Sequence, residues 1–142
     1  MILLDTNVLS ALMRTPPDAA VITWLDQQDP AQIWITAVMV FEVRFGLVRM
    51  AQGRNRAALE TAFEGLLRED LAGRVAPLDR AAAEAAGALA ARREAAGRAV
   101  DIRDILIAGI ALARKALVAT RNVRHYADLG TTVIDPWRDA PR

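Results

Sequence analysis

Short runs of aliphatic and β-branched residues alternate along the chain with longer stretches whose apolar positions recur every three or four residues. Ile2-Leu3-Leu4 reads as a buried strand, Asp5-Thr6-Asn7 as the turn at its carboxyl end, and Val8 to about Met13 as a helix. Thr15-Pro16-Pro17-Asp18 breaks that helix and places a proline to start the next, which carries Val21, Ile22, Trp24 and Leu25 and ends near Asp29-Pro30. Ile33-Trp34-Ile35 predicts a second strand, and Thr36 a cap for a long helix from Ala37 to about Met50. After the turn Gly53-Arg54-Asn55, Leu59, Phe63, Leu66, Leu67 and Leu71 recur at helical spacing up to Gly73. Val75-Ala76-Pro77-Leu78 is a short third strand whose proline suits an edge position. Asp79 caps an alanine-rich helix closed by Gly97, and another helix runs from about Asp101 to Lys115. Leu117 to Thr120 and Thr132 to Ile134 complete the set as strands four and five.

Strands separated by helices predict an α/β fold with a mostly parallel central sheet of about five strands flanked by helices. No repeat, low-complexity linker or boundary divides residues 1–142, so a single domain is expected. In such sheets ligands bind beyond the carboxyl ends of the strands, which is where chemistry is to be sought.

Composition narrows the chemistry mainly by exclusion. There is no cysteine, hence no disulfide framework, thiol nucleophile or cysteine-ligated zinc, and the one histidine, His125, excludes a His-rich zinc site. The 18 basic and 17 acidic residues leave a net charge of +1, so any basic surface must come from local clustering. Lys115 is the only lysine. Arginine suits phosphate recognition because its planar fork grips two oxygens, although a compositional bias of the genome explains the same excess. The amino terminus lacks a basic n-region, and Asp5 cuts its apolar run short, unlike a signal peptide. The longest uncharged stretch, Pro30 to Phe41, is well short of the ~18–20 apolar residues that span a bilayer, so no membrane partner and a cytoplasmic location are expected.

Within this pattern several carboxylates lack ordinary partners. Asp5 closes the first strand at the ligand-binding edge, where an Asp also serves as a helix cap. Glu42 sits in Val38-Met39-Val40-Phe41-Glu42-Val43-Arg44-Phe45-Gly46, and its neighbours one helical turn away are Val38, Met39, Phe45 and Gly46, none of them a cation. The alternative is a partner from another element, such as an arginine. Asp104 has Val100, Asp101, Ile107 and Ala108 at the same offsets. Asp101 there repels it, or serves the helix amino terminus, where a carboxylate is favourable. Were the fold to gather these acids, either raised pKa values or a hard cation would have to offset their charge. Oxygen-only ligands favour Mg²⁺ or Mn²⁺ over zinc. In Thr120-Arg121-Asn122, which follows the fourth strand, Thr120 can orient a water or phosphate oxygen and Asn122 can supply a neutral contact, with Arg121 and Arg124 beside them to grip phosphate. A simple turn whose Asn satisfies backbone groups is the alternative for this segment.

Taken in order, Met1-Ile2-Leu3-Leu4-Asp5-Thr6-Asn7-Val8-Leu9, Phe41-Glu42-Val43-Arg44-Phe45-Gly46-Leu47, Arg103-Asp104-Ile105-Leu106-Ile107-Ala108, Thr120-Arg121-Asn122-Val123-Arg124-His125-Tyr126 and Val133-Ile134-Asp135-Pro136-Trp137 resemble the motifs of PIN-domain ribonucleases. More narrowly, they resemble VapC-type toxins of type II toxin–antitoxin pairs, including the FitB-like members. Each motif is short, but five in order across nearly the whole chain are specific. The resemblance implies a three-layer α/β/α fold and metal-dependent endoribonuclease activity, in which a water activated by Mg²⁺ or Mn²⁺ attacks an RNA phosphodiester and leaves a 5′-phosphate. It maps Asp5, Glu42 and Asp104 onto the acidic metal ligands and Thr6 onto the hydroxyl of the opening turn. It places Asn122 where many members carry a fourth Asp or Asn, with Thr120 beside it. His125 stands where relatives often carry Asp, a departure that weakens any four-carboxylate site; Arg121, Arg124 and His125 are candidates for contact with RNA. Asp101 is at most an outer-shell residue. The resemblance also implies a homodimer silenced by a cognate antitoxin, with DNA bound only through that antitoxin. The apolar face near Phe41, Phe45, Leu47 and Val48 would serve one of these interfaces, or simply the core.

Four rivals are weighed by their residues. A haloacid-dehalogenase-type phosphatase needs a second Asp where Asn7 stands, and a receiver domain needs a lysine after the fifth strand, where nothing basic follows Ile134 until Arg138. A catalytically idle module that binds RNA or protein would have no use for all three of Asp5, Glu42 and Asp104. A PIN nuclease of RNA processing, working without an antitoxin, would carry the same residues.

Overall fold

The structure, a computed structural model, describes residues 1–139; the expected domain ends at 142, and its last three residues lie outside this range. Five strands, β1 (Ile2–Leu4), β2 (Ile33–Thr36), β3 (Val75–Ala76), β4 (Leu117–Ala119) and β5 (Thr132–Ile134), form one parallel sheet in the order β3-β2-β1-β4-β5. The predicted α/β class and the edge position of β3 are both found. β1 is central and buried throughout, as expected of a short apolar run in a parallel sheet covered on both faces.

Alternation along β1 divides the core. Leu3 points to one face, against Ala82, Ala86 and Leu89 of α5 (Arg80–Ala95) and Ile105, Ile107 and Ile110 of α6 (Ile102–Arg114). Ile2 and Leu4 point to the other, where Val8 and Leu9 of α1 (Thr6–Met13), Val21 and Trp24 of α2 (Ala19–Leu25) and Phe63 of α4 (Arg54–Gly65) complete the layer. Side-chain carboxylates or hydroxyls cap most helices as their sequence suggests: Thr36 for α3 (Ala37–Arg49), Asp79 for α5 and Asp101 for α6. The helix α2 starts at Ala19, after both prolines, because the Asp18 carboxylate accepts from the Ala20 and Val21 amides and so fixes the first turn there.

Two features depart from the sequence pattern. The helix expected to continue through Leu71 loosens at its end into a π-helical turn, Leu66–Asp70, which brings Leu71 into the core. A short helix, α7 (Val123–Tyr126), stands where the pattern offered only a turn. No described helix is long and apolar enough to cross a membrane.

The connections run from β1 to β2 and β3 on one side of the sheet, then cross to β4 and β5 on the other. The order reverses between β1 and β4, the place beyond the strand ends where sheets of this kind form their ligand crevice. Asp5 follows β1 and Thr120 follows β4 directly at that point, joined by the bond from the Asp5 amide to the Ala119 carbonyl at 2.9 Å.

Candidate active site

Asp5 stands at the floor of the crevice with 1% of its surface exposed. As the residue before α1 it accepts from the Thr6 amide at 2.8 Å through Oδ1. The capping role considered from sequence is therefore real, but it uses only part of the carboxylate. Oδ2 accepts from the Thr120 hydroxyl at 2.8 Å and lies 3.3 Å from the Tyr126 hydroxyl. Thr120 in turn accepts from the Asn7 side-chain amide at 3.1 Å and the Asn122 backbone amide at 3.0 Å, while Asn7 Oδ1 accepts from the Arg121 amide at 3.0 Å. The loops after β1 and β4 are thus cross-linked by side chains that both sit at strand ends.

Asp104, on the first turn of α6, is 2% exposed and faces the same crevice. Its backbone amide donates to Asp101 Oδ1 at 3.2 Å, which makes Asp101 the cap of α6. Asp104 Oδ1 lies 3.5 Å from the Tyr126 hydroxyl, and Oδ2 lies 3.1 Å from His125 Nδ1. Burial pushes the Asp104 carboxyl above its ordinary pKa, and the Asp101 carboxylate adds to the effect. Glu42 reaches the centre from α3, half-buried; burial raises its pKa too, against the opposing pull of Arg103. The Thr6 hydroxyl donates to Glu42 Oε1 at 3.3 Å.

At the centre lies Arg103. Its Nη2 donates to Asp5 Oδ1 and to the Thr6 hydroxyl, both at 2.9 Å; its Nη1 donates to Asp104 Oδ1 at 3.4 Å; its Nε is ion-paired with Glu42. Desolvation opposes its charge, but contact with Glu42 and the charges of Asp5 and Glu42 outweigh that, so its pKa is raised. This corrects the picture of acids without a cation. The helical neighbours of Glu42 and Asp104 hold none, but the residue just before Asp104 reaches across the crevice from α6. Among the described residues no group of three or more acidic or histidine side chains stands at metal-holding distance, and the guanidinium lies between Asp5, Glu42 and Asp104.

The remaining sequence-predicted residues lie around this centre. His125 is half exposed, yet its Nδ1 faces Asp104. Asn122 is exposed at the start of α7 and contributes its backbone amide, not its side chain, to the network. Arg121 and Arg124 are exposed, with Arg121 stacked 4.8 Å over the Trp137 ring. Together with Asn122, His125, Asp135 and Arg138 they line a hollow of about 400 Å³ beside the acids. α7 is held in place by Arg93 of α5, which donates to Asp128 at 2.7 and 3.1 Å and to the His125 carbonyl at 3.1 Å. The same pair holds the Asp128 carboxyl below its usual range.

Sequence reasoning missed the roles of Arg103, Tyr126 and Asn7. Tyr126 is wholly buried, and burial together with the two carboxylates pushes its phenol pKa up. A buried phenol needs a polar partner, and that requirement was the signal available for it.

Comparison with known proteins fits this arrangement. The PIN domain family model matches residues 2–129. The chain belongs to the PIN-domain family. It is 38% identical over 140 residues to VapC ribonuclease Y4jK of Sinorhizobium fredii, covering 99% of this chain and all of that one. It is 30% identical over 139 residues to Toxin FitB of Neisseria gonorrhoeae, covering 98% of this chain and all of FitB. A solved structure of FitAB bound to a DNA fragment superposes on this PIN domain with a TM-score of 0.86 at 30% identity, over 96% of both chains. The crevice at the strand ends, with its acids, therefore belongs to a PIN fold whose similar members include a ribonuclease and a toxin.

Proposed function

We propose that this chain, acting as one domain over residues 1–142, is the endoribonuclease toxin of a toxin–antitoxin pair. The observation that carries this reading is the gathering of Asp5, Glu42 and Asp104, from three separate elements, around the one guanidinium of Arg103. The donor set fits a hard divalent cation, Mg²⁺ or Mn²⁺: it is oxygen-only, and one guanidinium offsets only one of three carboxylate charges. When bound, such a cation supplies Lewis acidity toward phosphate and acidifies water.

The chain's own residues do the rest. Asp5, Glu42 and Asp104 would hold the cation, and Thr120 and Tyr126 fix the orientation of the Asp5 carboxylate. Thr6 orients Glu42. Arg121, Arg124 and His125 edge the hollow next to Asp104 and would grip the RNA backbone, with Asn122 offering a neutral contact to it. Partners follow from the surface. Phe41, Phe45 and Val48 of α3 are exposed, with Phe41 at 68% and stacked on Phe45, an apolar face suited to a cognate antitoxin or a second copy of the chain. DNA would be met only through the antitoxin, as the FitAB complex with DNA suggests.

The test is cleavage of a labelled RNA panel by purified chain with Mg²⁺, with Mn²⁺ and with chelator, beside Asp104→Asn. Cleavage should need metal, and Asp104→Asn should lose roughly a hundredfold or more while keeping its circular dichroism. Cleavage that persists in chelator, or in the folded variant, rejects the assignment. Metal binding with no turnover of any RNA points instead to an idle binding module.

A further inference from the structure

Arg103 occupies the place where the proposed function needs a cation. Its three nitrogens face three different carboxylates: Nη2 meets Asp5, Nη1 meets Asp104 and Nε is paired with Glu42. A guanidinium and a divalent cation cannot share that centre, because both require the same oxygens and like charges repel at such range. We propose that Arg103 is an internal latch that competes with the divalent cation for Asp5, Glu42 and Asp104, so that loading requires its guanidinium to swing out. The inference rests on the metal-dependent reading above.

Four features of the site make the latch both firm and releasable. Arginine does not give up its proton at any ordinary pH, so the group leaves only by moving. Its hold is uneven. The bonds from Nη2 to Asp5 and Thr6 are short, whereas that from Nη1 to Asp104 is long at 3.4 Å. The side chain also keeps 30% of its surface exposed while Asp5 and Asp104 keep almost none, so the arginine, unlike those two carboxylates, has a path to solvent. The backbone need not follow. Asp101 caps the first turn of α6 through the Asp104 amide, which keeps the Asp104 carboxylate in the crevice when its neighbour turns away. The metal-free chain then rests with its acids partly neutralised, and the site engages only when the cation outbids the arginine.

The test measures Mn²⁺ affinity by titration calorimetry for chelator-stripped wild type, Arg103→Met, Arg103→Lys and Arg124→Met, each checked by circular dichroism. Arg103→Met should bind Mn²⁺ about tenfold or more tightly than wild type, within the range usual for coupled sites. Arg103→Lys should fall between. Arg124→Met removes a charge near Asp104 but outside the latch, and should gain much less. Should Arg103→Met fail to fold, ¹⁵N NMR of the wild type decides: the Arg103 Nε–H signal should shift and exchange faster with solvent as Mg²⁺ saturates the site. Equal or weaker affinity in folded Arg103→Met, an equal gain in Arg124→Met, or an Nε–H signal unmoved at saturating Mg²⁺ overturns the latch and leaves the metal reading standing. No Mn²⁺ or Mg²⁺ binding by any of these proteins overturns the metal reading, and the latch with it.

Discussion

A carboxylate as buried as Asp5 stays in place because each of its oxygens is engaged: Oδ1 by the Thr6 amide and Arg103, Oδ2 by Thr120 and Tyr126. Tyr126 is the most replaceable of these partners. Its one hydroxyl proton serves either Asp5 at 3.3 Å or Asp104 at 3.5 Å, never both. Tyr126→Phe keeps the ring that fills the core and removes only that bond to a carboxylate, so it should cost about 1.5–3 kcal/mol in urea unfolding of the metal-free protein. A loss above roughly 3 kcal/mol would mean that ring packing, not the hydroxyl, had been disturbed. At this scale the acids were legible in the sequence, since a charge set among Val, Phe and Ile with no cation a turn away needs an account. Arg103 was not. It is adjacent to Asp104 in sequence, and neighbouring residues on a helix do not ordinarily face one another. Only its reach across to β1 and α3 brings it to Asp5 and Glu42, and that reach is set by tertiary packing.

The elements that carry those residues owe their placement to small side chains. α6 presents Asp104 at its start and lies against the alanine-rich α5 farther along, where Gly109 meets Ala82 and Ala86. A Cβ at Gly109 would stand 2.5 Å from the Ala82 carbonyl oxygen and 2.7 Å from the Ala86 Cβ, so backbone would have to move. Gly87 is also inside a helix, but a Cβ there meets nothing within 4 Å. The same change should therefore act with opposite signs. Gly109→Ala should destabilise by about 1–3 kcal/mol through overpacking. Gly87→Ala should stabilise by up to about 1 kcal/mol, from helix propensity alone. Urea midpoints of the two variants check this, and a stable Gly109→Ala would refute the close approach of the helices. The alanine-rich pattern announced a helix with certainty and the reason for its composition not at all, because the reason lies on the facing helix. α7 stayed hidden for a related cause. It has four residues, too few for a period to register, and it is fixed from outside by Arg93 on the His125 carbonyl.

For the whole molecule, balanced charge is the property that most restricts how RNA can be held. A net charge of +1 gives little general attraction to a polyanion, so affinity must come from where the arginines stand. Arg121, Arg124 and Arg138 line the hollow on one side of α7, while Arg93 and Arg98 line a second hollow that reaches Asp104, with Arg124 and His125 common to both. These hollows flank the crevice at the carboxyl edge of the sheet. Arg68, by contrast, lies exposed on the π-helical turn that leads into the amino end of β3. Each arginine that neutralises a phosphate of single-stranded RNA should contribute about 0.7 to the slope of log affinity against log salt. RNA binding by the Asp104→Asn chain, measured from low to moderate salt, should thus lose about that much slope in Arg121→Ala and in Arg124→Ala. It should lose none in Arg68→Ala, although all three changes subtract the same charge. Equal losses in all three would mean that the chain attracts RNA as a diffuse charge, and would remove the hollows beside α7 from the substrate path. Losses confined to Arg121 and Arg124 would place the strand across α7, with its scissile phosphate next to Asp104.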